Sequence, residues 1–260
     1  MSRSASAGSR ADRRRLELDQ RRMQRRRTRE SAQPSRLRSP MAVFTIGALL
    51  VGALIAGYAF LSGPAAPSID ELTEPVATVP FGLADGRALG RADAPVTIEI
   101  WSDFQCPACR DLAERIEPAL VTNYVVPGTV RIVYYDAAFQ GARAGGYDES
   151  VEAAAGARCA AQQGAFWQMH NWIFANWAGE NQGAFAAPRL RAIGEGAGLD
   201  LTSYDACMAR GDQQAAAKAE TSSGVAQGIN QTPTLFVNGT KLVGVPTMAE
   251  LSAVIAQATQ

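Results

Sequence analysis

The sequence holds one histidine, His170, and four cysteines in 260 residues. Zinc folds bring two close-spaced cysteine pairs together. Here only Cys106 and Cys109 stand close, while Cys159 and Cys207 stand singly, so a four-thiolate zinc site is not expected. A Cys–His hydrolase needs an oriented base. His170 has no sequence feature to orient it and lies near Phe166, Trp167 and Trp172, so it reads as a packed helix residue. No metal or cofactor is expected, and no internal repeat is visible.

Lysine is missing from the first 40 residues, which carry 13 arginines against four acids (Asp12, Glu17, Asp19, Glu30). That part therefore has a net charge of +9 and the other 220 residues −9, although the whole chain sums to zero. The composition of residues 1–40, rich in Arg, Ser and Gln, fits a disordered cytoplasmic tail that sets topology, with no nucleic-acid partner expected.

Charge is absent altogether between Pro40 and Asp70. The stretch MAVFTIGALLVGALIAGYAFL, residues 41–61, matches the roughly 20 residues a helix needs to cross a bilayer. Positive charge before a span stays cytoplasmic, so RRMQRRRTR (21–29) places residues 63–260 outside. A cleaved signal peptide also begins basic and continues apolar, but its apolar core is shorter. The expected organisation is a tail (1–40), a transmembrane signal anchor (41–62), a Pro-rich spacer (63–80) and a folded domain (81–260).

VTIEIW (96–101) has the β-branched and aromatic character of a strand. Its alternation places Val96, Ile98 and Ile100 on one face and Thr97, Glu99 and Trp101 on the other. From Pro107 the period changes, with Leu112, Ile116 and Leu120 recurring every four residues, which predicts a helix kinked at Pro118. A second strand lies within 128–139. Strand, helix, strand opens an α/β unit with a parallel pair.

Residues 148–222 are helical in character. Phe166, Met169, Ile173 and Trp177 form one stripe, and shorter helices are predicted at 188–198 and 202–210. Strand character returns in TPTLFVNGTKLVG (232–244), where Asn238-Gly239 signals a hairpin turn. A last helix covers 248–258. The layout is βαβ, a block of helices, then ββα.

In SDFQCPACR (102–110) the cysteines open the helix. A thiol in a first helical turn faces unpaired N–H groups and the positive end of the dipole, which favours its thiolate. Such cysteines have pKa values of about 3.5 to 7. Cys106, the outer one, is the expected nucleophile, and Cys109, one turn in, the resolving thiol. Thr232-Pro233 precedes a strand, a position where a proline can be cis. With Cys106 and Cys109 paired, Cys159 and Cys207 are expected to form a structural disulfide in an oxidising compartment, the other reading being two buried free thiols.

Three separated strings, DAPVTIEIWSDFQCPAC, CAAQQGAFWQMHNWIF (159–174) and INQTPTLFVNG (229–239), resemble the DsbA-like thiol-disulfide oxidoreductases of bacterial cell envelopes, of the membrane-anchored BdbD-like kind. The resemblance runs in order from about residue 80 to the C-terminus. It implies an α/β thioredoxin-like fold with a helical insertion, and a cis-Pro233 packed beside the cysteines with the Thr232 backbone open to an extended substrate. It also implies that Glu99 is the buried acid behind the pair; a half-exposed strand residue is the other reading. Reduced exported proteins would be the substrates, and a quinone-linked membrane partner of the DsbB or VKOR type would restore the disulfide. Pro107-Ala108 keeps the family's proline but lacks the histidine found between the cysteines of strong oxidants. The resemblance therefore implies a milder oxidant, and leaves a reductase or isomerase, or a non-catalytic binding module, as alternatives.

Overall fold

A computed structural model describes residues 10–31, 44–49, 51–52, 69–76, 80–141 and 146–260. The chain divides into two compact units, Met1–Ala65 and Ala66–Gln260.

In the first unit, α1 (Arg10–Ser31) is a continuous helix with residues 14–28 exposed. It stands where the composition led us to expect a disordered tail. Arg, Leu, Gln, Glu and Met all favour helix, so local propensity is enough to form it without a packed face. Residues 44–49 and 51–52 are helical, and the rest of the stretch 41–61 lies outside the described residues. Among the described residues no helix is long and apolar enough to cross a membrane.

The second unit starts earlier than the expected boundary at 81. Ile69–Glu71 forms a single 3-10 turn. The Asn176 side chain then clamps Thr73, accepting from its N–H at 2.9 Å and donating to its carbonyl at 2.9 Å. The spacer expected at 63–80 is thus tied down at Thr73, because one amide side chain satisfies both of that residue's backbone groups.

A hairpin of β1 (Ala84–Asp85) and β2 (Ala88–Leu89) follows. Gly86-Arg87 forms its two-residue turn, with Gly86 in the first central position at φ 56°, which glycine adopts without strain. Next come β3 (Val96–Ser102) and α2 (Pro107–Asp111). A wider π-type turn (Leu112–Ile116) leads into α3 (Glu117–Leu120), and a second such turn covers Val121–Val125. Pro118 acts here as a local widening of the helix: lacking an N–H, it is accommodated where Glu117 N–H reaches back five residues to Leu112 O.

After β4 (Val130–Asp136) come five helices, α4 (Glu149–Ala161), α5 (Phe166–Ala175), α6 (Ala187–Gly196), α7 (Leu201–Arg210) and α8 (Asp212–Ala226). The chain closes with β5 (Thr234–Val237), β6 (Thr240–Val243) and α9 (Met248–Ala258), the last begun by a Thr247/Glu250 capping box.

The sheet order is β1-β2-β4-β3-β5-β6. β3 and β4 are parallel, with Ile98 opposite Ile132, and the other pairs are antiparallel. Val96, Ile98 and Ile100 are fully buried in the main core with Leu112 and Leu120. Trp101 lies on the other face beneath α8, stacked on Tyr135 at 4.7 Å between ring centroids. A Cβ added at Gly224 would stand 2.7 Å from the Trp101 ring, so only glycine lets α8 approach this closely.

Cys159 and Cys207 form a disulfide joining α4 to α7, with Cα atoms 5.8 Å apart. An ionic cluster of Arg87, Asp136, Arg158 and Glu220 ties the hairpin, α4 and α8 to the end of β4, with Arg87–Glu220 at 2.6 Å and Arg158–Glu220 at 2.8 Å. Trp177, expected on the α5 stripe, falls past the helix end. Its indole N–H instead donates to Gln105 O at 2.8 Å.

Candidate active site

Cys106 is the N-cap of α2, in extended conformation (φ −72°, ψ 124°), with Pro107 at the first helical position. Proline fits there because that N–H has no helical partner in any case. Both Cys106 and Cys109 are free thiols, 6% and 1% exposed. The Thr232–Pro233 peptide is cis. The Cys106 thiol lies 3.5 Å from Thr232 O, so the proline loop forms the second wall of the site.

The two sulfurs differ sharply in acidity. Cys106 is pulled down to about 6, first by the hydrogen bond from the Cys109 thiol, with further help from Thr232 and from the Cys109 and Ala108 N–H groups, against the opposing effect of burial. Cys109 is pushed well above its ordinary value, first by burial and then by Cys106. At neutral pH the site holds a thiolate at Cys106 and a neutral thiol at Cys109, which donates to it.

Glu99 does not sit behind the pair. It is half-buried on the Trp101 face, lining a shallow surface depression with Trp101, Tyr135 and Glu220. Side chains alternate along a strand, so Glu99 faces away from the side where Ser102 meets Cys109. The buried acid reading for Glu99 is corrected on this ground.

The buried carboxylate beside the cysteines belongs to Asp103. One oxygen accepts from Gln105 N–H at 2.9 Å and Ser150 Oγ at 2.7 Å, the other from Phe139 N–H at 2.7 Å and Gln140 N–H at 3.0 Å. Burial raises its pKa to about 6 against the pull of these four donors. Its backbone touches both cysteines: Asp103 O accepts from Cys106 N–H at 3.0 Å, and Asp103 N–H points at Cys109 Sγ at 3.4 Å. Gln105, also buried, accepts from Asn181 N–H and donates to Ser150 Oγ at 3.0 Å. The insertion thus braces the loop that presents the thiols. Sequence reasoning missed Asp103, whose position three residues before Cys106 was the available signal.

His170 is the packed helix residue expected, and it is paired with a buried acid that the sequence did not point to, Glu117. Glu117 and His170 face each other with Oε2 and Nε2 3.8 Å apart. His170 is packed among Phe104, Tyr134, Trp167 and Phe174 and is held by Asn171 through Nδ1 at 2.9 Å. Burial pushes Glu117 up to about 8 and His170 down to about 4, so both are neutral at pH 7. Among the described residues, no cluster of three or more His, Cys, Asp or Glu side chains could hold a metal ion.

The fold and this site define a thioredoxin-like domain with its redox pair at a strand-to-helix junction. The thioredoxin family profile matches residues 83–257, and the chain belongs to that family. It is 30% identical over 182 residues to "Na(+)/H(+) antiporter NhaA 1" of Salinispora arenicola, a match covering 69% of this chain and 26% of that protein. The chain therefore spans about a quarter of that relative's length. It is 32% identical over 97 residues to "Probable disulfide bond formation protein D" of Bacillus cereus, covering 37% of this chain and 43% of the relative. The oxidised BdbD structure from Bacillus subtilis superimposes with a TM-score of 0.60 over 72% of this chain and 97% of that one, at 18% identity. At 18% identity the BdbD superposition is a likeness of fold.

Proposed function

We propose that this protein is an extracytoplasmic thiol-disulfide oxidoreductase that donates a Cys106–Cys109 disulfide to reduced exported proteins. The observation that carries the reading is the asymmetry of the pair, an acidic Cys106 against a buried Cys109 that resists ionisation. A stabilised Cys106 thiolate favours the reduced form, which makes the disulfide form an oxidant.

In the forward step a substrate thiolate attacks Cys106 Sγ. The Cys106–Cys109 bond breaks, a substrate–Cys106 disulfide forms, and Cys109 leaves as a thiolate that takes up a proton. A second substrate thiolate then attacks the substrate sulfur of that mixed disulfide, closing the substrate's own disulfide and releasing the Cys106 thiolate. Thr232, whose carbonyl lies beside Cys106, is placed to pair with an extended substrate strand.

The apolar stretch 41–61 after an arginine-rich segment supports a single-pass anchor with the catalytic domain outside. The reduced pair then requires an oxidant, for which a quinone-linked membrane partner of the DsbB or VKOR type is proposed. Ala108 in place of histidine removes one contribution to thiolate stability and favours a potential milder than that of the strongest oxidants.

The test is oxidation of a reduced, unfolded substrate by the disulfide form, together with the equilibrium potential of the pair against glutathione. Transfer of the disulfide and a potential well above the thioredoxin value of about −270 mV are expected. A potential near that value would show a reductase. No transfer, and no mixed disulfide trapped by Cys109→Ser, would leave a binding module.

A further inference from the structure

We infer that Asp103 is a positioning residue for the resolving thiol: its carboxylate, bound to three separate segments, holds its own N–H against Cys109 Sγ, where that N–H receives the thiolate that forms and disappears in each half-reaction. The inference rests on the proposed disulfide exchange and deepens it.

Cys109 needs such a donor. It is 1% exposed, so no solvent solvates its ionised form, and an ionised sulfur left unsolvated in an apolar site is strongly disfavoured. The groups that favour the Cys109 thiolate are the Ser102 hydroxyl and the Asp103 N–H. A hydroxyl rotates to suit its neighbours, whereas a backbone N–H points where its peptide is held. The Asp103 peptide is held unusually well. Its side chain accepts four hydrogen bonds from the active-site loop (Gln105), the segment after β4 (Phe139 and Gln140) and the start of α4 (Ser150). The carbonyl of that same peptide, Ser102 O, takes the N–H of Ala137 at 2.9 Å, and the next carbonyl, Asp103 O, takes the N–H of Cys106. One residue therefore contacts both cysteines through its backbone and is tied to the helical insertion through its side chain.

The reaction that isolates this role is closure of a Cys106–glutathione mixed disulfide. The Cys109 thiolate attacks Cys106 Sγ, the Cys106–glutathione bond breaks, the Cys106–Cys109 bond forms, and glutathione departs as its thiolate. With Cys106 capped, the pH profile of this rate above pH 7, where Asp103 is already ionised, reports the ionisation of Cys109.

The experiment prepares the adduct on the full chain with oxidised glutathione and follows its closure from pH 6 to 10 in the unmodified protein, in Asp103→Asn and in Ser150→Ala. Asn keeps the shape of Asp103 but offers one acceptor oxygen to four donors. Ser150→Ala removes one tether and keeps the charge. The expected result is a midpoint shifted to higher pH in both variants, with the rate at pH 7 about tenfold lower in Asp103→Asn, one pH unit being tenfold, and the plateau at high pH retained. A lower plateau with an unmoved midpoint would mean that Asp103 only braces the loop, and would overturn the inference. A midpoint shifted to lower pH in Asp103→Asn would show that its charge outweighs its tethering, and would overturn it as well. Failure of the unmodified protein to form the adduct would refute the disulfide-exchange reading itself, a result separate from either.

Discussion

The Cys106 sulfur stands 3.5 Å from the carbonyl oxygen of Thr232, a residue 126 positions away. This contact brings the helix N-terminus that acidifies the thiol to the loop that can hold a substrate backbone. Nucleophile and binding edge thus share one wall.

Alkylation of Cys106 is predicted to follow a midpoint near pH 6 in the reduced protein. The largest cause of that depression is the hydrogen bond from Cys109, so Cys109→Ala should move the midpoint upward. Iodoacetamide labelling against pH, read by mass, measures both. The sign carries over to stability. A thiol with a depressed folded-state pKa stabilises the reduced fold above its ordinary value of 9, and that contribution is lost as pH falls through about 6. The stability advantage of reduced over oxidised protein should therefore grow from pH 6 to 9, and denaturant melts of the two forms would show it.

Glu117 predicts an opposite dependence. Its folded-state pKa is raised to about 8 from 4.5, so the fold binds a proton that the unfolded chain has released, and stability falls as pH rises between those values. His170, lowered to about 4 from 6.5, gives a rise between 4 and 6.5 that offsets the fall over most of that window. The net loss then appears between pH 6.5 and 8, roughly 2 kcal/mol at about 1.4 kcal/mol per pH unit. Urea melts of the oxidised protein should show it, and Glu117→Gln should flatten the profile. A flat profile in the unmodified protein would refute the assignment.

Removing the α4–α7 disulfide with Cys159→Ala and Cys207→Ala should lower stability by up to about 4 kcal/mol on the chain-entropy account of a long closed loop. Cys106 should keep its alkylation midpoint, because neither sulfur of that disulfide touches the site. Loss of the midpoint together with stability would show that the insertion's internal packing also sets the reactivity.

Glu99→Gln should leave both the Cys106 alkylation midpoint and the Cys109 closure profile in place, since Glu99 lies across the sheet from the thiols. Gly224→Ala, on that same face, should destabilise by about 1 to 3 kcal/mol, as the new methyl group meets the Trp101 ring at 2.7 Å. Thermal melts and the two pH profiles distinguish these outcomes from a catalytic effect.

Much of this was open to a reading of the chain alone. The 2.0 and 3.6 residue periods place β3, the helix from Pro107 and α9, and Asn238-Gly239 marks the last hairpin, because these depend on neighbours within a few positions. The same local logic placed the cysteines at a helix start, where unpaired N–H groups favour a thiolate. The same alternation placed Glu99 on the Trp101 face; it was the resemblance that suggested a buried acid there, and the sheet register puts the thiols on the opposite face. Local logic failed at the spacer, since the hold on Thr73 comes from Asn176, 103 residues on. Asp103 is polar and sits in a loop, and apart from its place three residues before Cys106 its neighbours in the chain do not distinguish it from a solvated turn. What gives it a role is that Phe139, Gln140 and Ser150 converge on it from 36 to 47 positions away. Local sequence therefore determined which groups could react. Only the tertiary structure decided which buried charges and sulfurs would be satisfied, because desolvation and hydrogen bonding depend on every segment that reaches a site, however distant in the chain.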